Sequence, residues 1–208
     1  MPFFAVEYLL PYTHLIAKDS PAWEATIKML GEQALVNKEP ANFKASKTIG
    51  LISDTHVPKR ARCIPKRVFE IFENVDYIIH SGDLVELAVL DELEQIAPVL
   101  AVHGNMDGLE VAGALPRLNS LKVFDWKISV THDQNILYGS NKMQEIDEQN
   151  DFDVFVYGHT HTANIRWEGK ILYINPGSPT DPPSVMIKPS VGLLKITKET
   201  ITPQIIEL

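Results

Sequence analysis

The chain has 208 residues, of which 45% are hydrophobic, and a formal net charge of -8 from 19 basic and 27 acidic side chains. This length predicts one domain with a modest appendage, and the acidic balance argues against broad binding of nucleic acid, since a phosphate backbone would be repelled. The single cysteine, Cys63, excludes an intramolecular disulfide framework, and the lack of a long apolar run or a basic N-terminal signal predicts a cytoplasmic protein that does not enter a membrane.

Residues 1–46 are predicted to form an N-terminal extension with one amphipathic helix and a linker. Ser20 and Pro21 suit the N-cap and first turn of a helix. The apolar residues that follow recur at helical spacing and are Trp23, Ile27, Leu30 and Ala34. The polar segment 37–46 is predicted to be the linker. The extension could pack on the main domain, cover a sheet edge or mediate self-association, so a homo-oligomer is one of the open alternatives.

Residues 47–208 are predicted to form the main domain, in which apolar strands alternate with helices. The first part reads as strands at 49–53, 76–80 and 99–103, with helices at 65–74 and 86–97. The second part reads as short strands near 121–124, 127–131, 154, 163–167, 171–174, 191–196 and 201–206, with a helix near 141–149. Two sheets packed face to face with helices outside, an α-β-β-α sandwich of the α/β class, satisfy this pattern.

Side chains that can bind metal ions follow several of these strands. Asp54 and His56 stand two residues apart at the end of the first strand, so they can project from the same side. Further candidates occur, in chain order, in Gly82-Asp83, Gly104-Asn105, Thr131-His132 and Gly158-His159-Thr160-His161. Taken singly, Asp83 could be a helix cap and Asn105 a turn residue. Together, four imidazoles, two carboxylates and a carboxamide suit Mn, Fe, Co, Ni or Zn better than Ca.

This ordered set of motifs resembles the calcineurin-like metallophosphoesterase superfamily, in particular its small archaeal and bacterial phosphodiesterase branch, over about residues 47–208. The resemblance implies a dinuclear metal site with two divalent ions, Mn foremost and Ni, Co, Fe, Zn or Mg as alternatives. The first metal would be held by Asp54, His56, Asp83 and His161. The second would be held by Asp83, Asn105, His132 and His159, so that Asp83 bridges the two ions.

The resemblance also implies a hydrolase that cleaves a small phosphate ester, foremost a phosphodiester. The expected nucleophile is a metal-bridging hydroxide formed from water held by Asp83, and Asn105 is expected to contact the phosphate. Larger relatives place a histidine after the Gly-Asn pair to protonate the leaving group, whereas this chain has Met106. The sequence therefore favours substrates whose leaving group needs little protonation. Asp107 could relay a proton through water, but a role in a turn or in support of the ligands is expected first.

Three residues are predicted to bind substrate: Asn175 and Ser178, in a loop that resembles a signature loop of the family, and Arg60. Relatives often carry an arginine after that loop, where this chain has a segment around Pro183, and Arg60 could replace it. Asp133 stands where the family usually has glycine. A carboxylate at this position is expected to repel a phosphate or to restrict its approach.

Two other functions stay open at this point. The retromer scaffold subunit of this fold resembles the same branch but has lost ligands at the Gly-Asp and Gly-Asn positions, so a non-catalytic metal-binding scaffold is one alternative. Asp83 and Asn105 are intact here, which favours an enzyme. The other alternative is a nuclease, against which the net acidity counts.

Overall fold

The computed structural model describes residues 45–133 and 152–208. Their strands, in chain order, are β1 (Ser46–Ile52), β2 (Tyr77–His80), β3 (Val99–Ala101), β4 (Leu118–Val123), β5 (Trp126–Thr131), β6 (Val154–Val156), β7 (Asn164–Glu168), β8 (Ile171–Asn175), β9 (Ser190–Thr197) and β10 (Ile201–Glu207). Their helices are α1 (Lys66–Phe72), α2 (Ala88–Glu94) and α3 (Leu109–Ala114).

The strands form two mixed five-stranded sheets. The first sheet has the order β10-β9-β1-β2-β3, in which β1, β2 and β3 are parallel, while β9 runs antiparallel to β1 and to β10. The second sheet has the order β4-β5-β6-β8-β7, in which β5, β6 and β8 are parallel and both edge strands are antiparallel to their neighbours. The predicted α/β class and two-sheet architecture are therefore confirmed.

The main core lies between the two sheets. The first sheet contributes Ile49, Leu51, Ile79, Leu194 and Ile196, and the second contributes Ile128, Val130, Val154, Val156, Leu172 and Ile174. A second core joins the other face of the first sheet to the three helices and includes Ile52, Val68, Phe72, Ile78, Val89, Leu93 and Val111. The central strands are thus covered on both faces, which explains their continuous apolar sequences.

Strand β1 shows how tightly the layers fit. Ile49 and Leu51 face the other sheet, and the alternation of side chains turns Gly50 toward α1. A Cβ atom at position 50 would lie 2.9 Å from the ring of Phe72. Glycine therefore lets α1 approach the strand that ends at the candidate site.

The predicted elements match the observed ones, with shifts at their ends. The structure adds α3, which was not predicted, and β4 begins at Leu118 rather than near residue 121. The predicted helix near 141–149 and residues 1–44 of the predicted extension lie outside the described residues. None of the helices in the described part of the chain is long and apolar enough to span a membrane.

The topology brings several loops to one place. The segments after β1, β2 and β3 leave the carboxyl ends of parallel strands, and those after β5 and β6 leave the parallel part of the other sheet. Carboxyl ends of parallel strands lie at the same edge of a sheet. These five segments carry the seven predicted metal ligands.

Candidate metal centre

The first group of predicted ligands converges where the loops after β1 and β6 meet. Asp54 Oδ1 lies 3.1 Å from His161 Nε2. His56 Nε2 lies 3.2 Å from the same nitrogen and 3.9 Å from Asp83 Oδ2. Asp54, His56 and Asp83 are at most 1% exposed. The four side chains assigned to the first metal position are therefore brought together by the fold.

The second group lies on the other side of Asp83. Asp83 Oδ2 is 3.2 Å from His132 Nε2, which is also 3.1 Å from Asn105 Oδ1. The same amide oxygen lies 2.8 Å from His159 Nδ1. Asp83 Oδ2 thus approaches both His56 and His132, and the bridging of two ions by this carboxylate stays a prediction.

The hydrogen bonds around the two groups determine which atoms face the centre. His132 Nδ1 lies 2.8 Å from the carbonyl oxygen of Ser81, and His161 Nδ1 bonds to the carbonyl of Asp181. A carbonyl only accepts, so both Nδ1 atoms carry protons and both Nε2 atoms turn a lone pair inward when the rings are neutral. A neutral imidazole whose other nitrogen is bound in this way is the usual form of a metal-ligating histidine.

The donor set fits divalent cations. The atoms that face the centre are carboxylate oxygens, an amide oxygen and imidazole nitrogens, all of which offer lone pairs. Among the described residues, His56 Nδ1 is buried without a hydrogen-bond partner, and the buried Asp54 Oδ1 faces His161 Nε2 at 3.1 Å. Two sets of three side chains each bring their ligand atoms within 4.8 Å of one another. One set is Asp54, His56 and His161, and the other is Asp54, Asp83 and His132. Such mixed nitrogen and oxygen sites bind first-row divalent metals.

The carboxylates also shift the protonation of the imidazoles. Burial disfavours the charged form of His132, but the hydrogen bond to Asp83 and the charge of Asp54 outweigh it and raise the pKa. The hydrogen bond to Asp54 raises the pKa of His161. Burial lowers the pKa of His56 despite the charges of Asp83 and Asp54. The carboxylates therefore stabilise positive charge on His132 and His161, and the same acceptors would stabilise a cation.

Five of the seven predicted ligands have left-handed backbone. The φ angles are 53° for Asp54, 47° for His56, 56° for Asp83, 71° for His159 and 56° for His161. This conformation costs a residue with a side chain about 1–3 kcal/mol. The backbone N–H groups of Asp54, His56, Asp83 and His159 donate hydrogen bonds that help to hold this conformation.

The carboxylate of Asp107 holds two of the ligand loops together. Its Oδ1 accepts a hydrogen bond from the backbone N–H of Val85 at 2.6 Å, and its Oδ2 accepts from the N–H groups of Asp83 at 3.0 Å and Gly104 at 2.7 Å. The first two donors follow β2, whereas the third follows β3. Asp107 therefore fixes the position of Asp83 relative to Asn105, which confirms the expected supporting role.

Two glycines allow the ligand loops to touch. A Cβ atom at Gly104 would lie 2.1 Å from Asp83 Oδ1. One at Gly158 would lie 2.0 Å from Ser53 Oγ and 2.8 Å from Asp54 Oδ2. Glycine is thus required before Asn105 and before His159, because a side chain at either position would clash with a neighbouring ligand loop.

The predicted substrate-binding residues Asn175 and Ser178 are buried supports. Asn175 Nδ2 donates to the carbonyl of Gly158 at 2.8 Å and to Thr160 Oγ1 at 3.1 Å. Ser178 Oγ donates to the carbonyl of Asp54 at 2.7 Å. Neither side chain is more than 1% exposed, so the prediction that they touch substrate is not supported by their position. They hold the backbone of the ligand loops instead.

Arg60, the third residue predicted to bind substrate, forms an ion pair with Asp181. Asp181 also faces His161 through both its carbonyl and its carboxylate, with Oδ2 3.2 Å from His161 Nδ1. The role of Asp181 was not predicted, and no local feature of the sequence distinguishes it. Arg60 therefore lies within reach of the first ligand group through Asp181, and its contact with phosphate stays a prediction.

His80 is a buried titratable group beside the centre. Its Nδ1 accepts a hydrogen bond from the N–H of Gly82 at 3.2 Å, and its Nε2 lies 3.1 Å from Thr55 Oγ1. Since Nδ1 accepts, the ring is neutral with its proton on Nε2. Burial lowers the pKa of His80 to about 4.

This shift makes the stability of the fold dependent on pH. In the unfolded chain His80 regains its ordinary pKa of about 6.5, so between that value and the lowered one the unfolded state binds more protons, and stability falls as pH falls. Through His80, the wild-type protein should lose about 2 kcal/mol of its free energy of unfolding between about pH 7.5 and about pH 5. We expect His80→Asn, whose amide oxygen can still accept from Gly82, to abolish this part of the loss. Denaturant unfolding of chelator-treated protein at both pH values measures this, and an unchanged pH dependence would contradict it.

Comparison with known proteins agrees with this geometry. Residues 48–199 match the calcineurin-like phosphoesterase superfamily domain. The chain is 45% identical over 137 residues to a protein of Methanocaldococcus jannaschii named "Probable metallophosphoesterase", which covers 64% of this chain and 69% of that relative. It is 36% identical over 141 residues to a phosphodiesterase of the same organism, covering 62% of this chain and 82% of the relative.

A solved structure shows the same fold. Vacuolar Protein Sorting 29 from Cryptosporidium parvum superposes with a TM-score of 0.63 at 21% sequence identity, covering 78% of this chain and 98% of that chain. The likeness concerns the arrangement of the two sheets, whereas the sequence match extends through all the motifs that supply the candidate ligands. The chain belongs to the calcineurin-like phosphoesterase superfamily.

Proposed function

We propose that this protein is a metal-dependent phosphodiesterase that hydrolyses a small phosphate ester at a dinuclear centre. The observation that supports the proposal best is the position of Asp83, whose Oδ2 approaches a ligand of each group, at 3.9 Å from His56 Nε2 and 3.2 Å from His132 Nε2. When bound, two divalent cations would make water acidic enough to react near neutral pH and would offset the charge that develops on phosphorus.

The chain's own residues hold and orient the reacting groups. Burial alone would raise the pKa of Asp83, but the hydrogen bond to His132 and its charge outweigh this and lower it. Asp83 is therefore ionised at neutral pH, and its Oδ1 is fixed by the N–H of Met106 at 2.7 Å. A fixed carboxylate that faces both groups would help to hold two metal ions at a constant spacing.

Asn105 has an amide group that can contact the phosphate. Its Oδ1 faces His132 and His159, whereas its Nδ2 makes no hydrogen bond to any described residue, and the residue is exposed. An amide N–H at this position can donate to a phosphate oxygen. The neighbouring side chain, that of Met106, cannot donate a proton, so aryl esters and other esters with good leaving groups are the expected substrates.

The test is hydrolysis of bis(p-nitrophenyl) phosphate by protein stripped with a chelator and reloaded separately with Mn, Ni, Co, Zn or Mg. We expect the best metal to raise the rate at least about a hundredfold over the stripped protein, because bound metals lower the pKa of water by many units. Elemental analysis of each preparation provides the metal content. Stoichiometric metal without turnover on any diester or monoester would contradict the proposal.

That contradictory outcome would favour a metal-binding scaffold, since the fold is shared with Vacuolar Protein Sorting 29. The enzyme is preferred because Asp83 and Asn105, which the scaffold alternative does not need, converge with the imidazoles. A nuclease is the weaker alternative, because a chain with a net charge of -8 repels a long phosphate backbone.

A further inference from the structure

A cavity of about 120 Å³ opens beside the second group of candidate ligands. Its lining includes the candidate ligands Asn105 and His132, together with His103, Gly104, Arg117, Thr131 and Asp133. A ring the size of benzene fills a cavity of about 150 Å³, so this one accepts a short arm of a few atoms. Any ester bound through its phosphate at the centre would therefore have room for such an arm here.

The backbone of Arg117 is fixed next to the ligands. Its carbonyl oxygen accepts a hydrogen bond from Thr131 Oγ1 at 3.1 Å, and Thr131 precedes His132 in the chain. The neighbouring carbonyl of Pro116 accepts from the N–H of His103 at 3.0 Å. Residues 116 and 117 are thus tied to the two segments that lead to His132 and Asn105.

The guanidinium of Arg117 has no partner among residues 45–133 and 152–208. In the same part of the chain, Arg60, Arg67 and Arg166 each pair with a carboxylate. Arg62 also lacks a described ion pair, but it does not line the cavity. Arg117 is exposed and lines a cavity that adjoins the candidate metal centre. Its guanidinium carries a permanent positive charge, so this residue can supply a binding group for an oxyanion.

We propose that Arg117 binds an oxyanion, a carboxylate or a second phosphate, carried on the alcohol arm of the ester. This assignment rests on the proposed function and narrows the substrate class to phosphate esters with a second anionic group. Asp133 lines the same cavity, but it is engaged in an interaction of its own. The planar guanidinium can hold either oxyanion through two parallel hydrogen bonds, which a hydroxyl arm cannot match.

The test compares the affinity of Mn-loaded protein for three phosphonates of similar length by titration calorimetry: 2-carboxyethylphosphonate, 3-hydroxypropylphosphonate and 3-aminopropylphosphonate. We expect the carboxylate compound to bind about tenfold more tightly than the hydroxyl compound, because its second charge gains a charge-assisted bidentate contact. In Arg117→Gln this preference should fall to within about twofold, whereas Arg62→Gln, the matched control, should keep it.

A preference that persists in Arg117→Gln would overturn the assignment, because it would then arise from the metals. Equal affinities in the wild-type protein, or tighter binding of the amine, would overturn it as well, the latter because Asp133 would dominate the cavity. Binding is measured without turnover, so the two proposals can fail separately. Protein that shows the expected preference but hydrolyses no ester rejects the phosphoesterase and keeps Arg117 as an oxyanion site.

Discussion

Asp83→Asn should reduce the metal content by about one ion per chain and lower the rate of diester hydrolysis by about a thousandfold or more. The substitution keeps the shape of the side chain but removes the negative charge that faces both ligand groups, at 3.9 Å from His56 and 3.2 Å from His132. Loss of about 4 kcal/mol of stabilisation, the scale of one charged contact at a metal centre, corresponds to that factor. Elemental analysis and initial rates at saturating metal measure the two effects.

Asp125→Asn is the matched control for this substitution. The side chain of Asp125 is fully exposed, and its contact with Lys122 is a surface ion pair at 3.9 Å. Such pairs contribute little to stability, so metal content and rate should stay at the wild-type level. If Asp83→Asn retained two ions and most of its activity, the bridging role would be wrong and the assignment of two metals would fail with it.

Asp107→Asn should weaken metal binding by about ten- to a hundredfold, the range found when groups that orient ligands are replaced. The carboxylate accepts three backbone N–H groups, from Val85, Asp83 and Gly104. An amide places an N–H group against at least one of these donors and leaves it without an acceptor. We expect the free energy of unfolding of the metal-free protein to fall by about 1–3 kcal/mol as well.

The two effects separate a positioning role from simple loss of stability. Metal affinity is measured by competition with a chromophoric chelator at a temperature where the variant is fully folded, and unfolding is measured with chelator present. Asp125→Asn again serves as control. Unchanged metal affinity in a destabilised Asp107→Asn protein would show that Asp107 supports the fold alone and does not position Asp83.

The buried strands were predictable because they are apolar on both faces. Val154 and Val156 face the core between the sheets, whereas Phe155 joins an aromatic cluster on the opposite face. A strand that is buried on both faces has a continuous apolar sequence, and this pattern can be recognised without the structure. Helix α3 was missed because it has six residues and buries only Val111, which is too short for a helical period to appear.

The candidate ligands were recognisable because their residue types and spacing are local features, but the groups that hold them are not. Ser81 bonds to His132 from 51 residues away, and Asp181 bonds to His161 from 20 residues away. Which carbonyl reaches which imidazole depends on where the loops meet in space. The support given by Asn175 and Ser178 was hidden for the same reason, since a polar loop next to the centre suggested contact with substrate.

The left-handed backbone at Asp54, His56, Asp83, His159 and His161 also bears on how this fold can change during evolution. Asp and His tolerate this conformation better than most residues, but glycine adopts it without steric cost. Glycine at any of them would relieve the strain and remove a ligand in one step. In a lineage released from selection for catalysis, the loss of these ligands would therefore not require the loss of the fold, which gives the architecture a route to non-catalytic descendants.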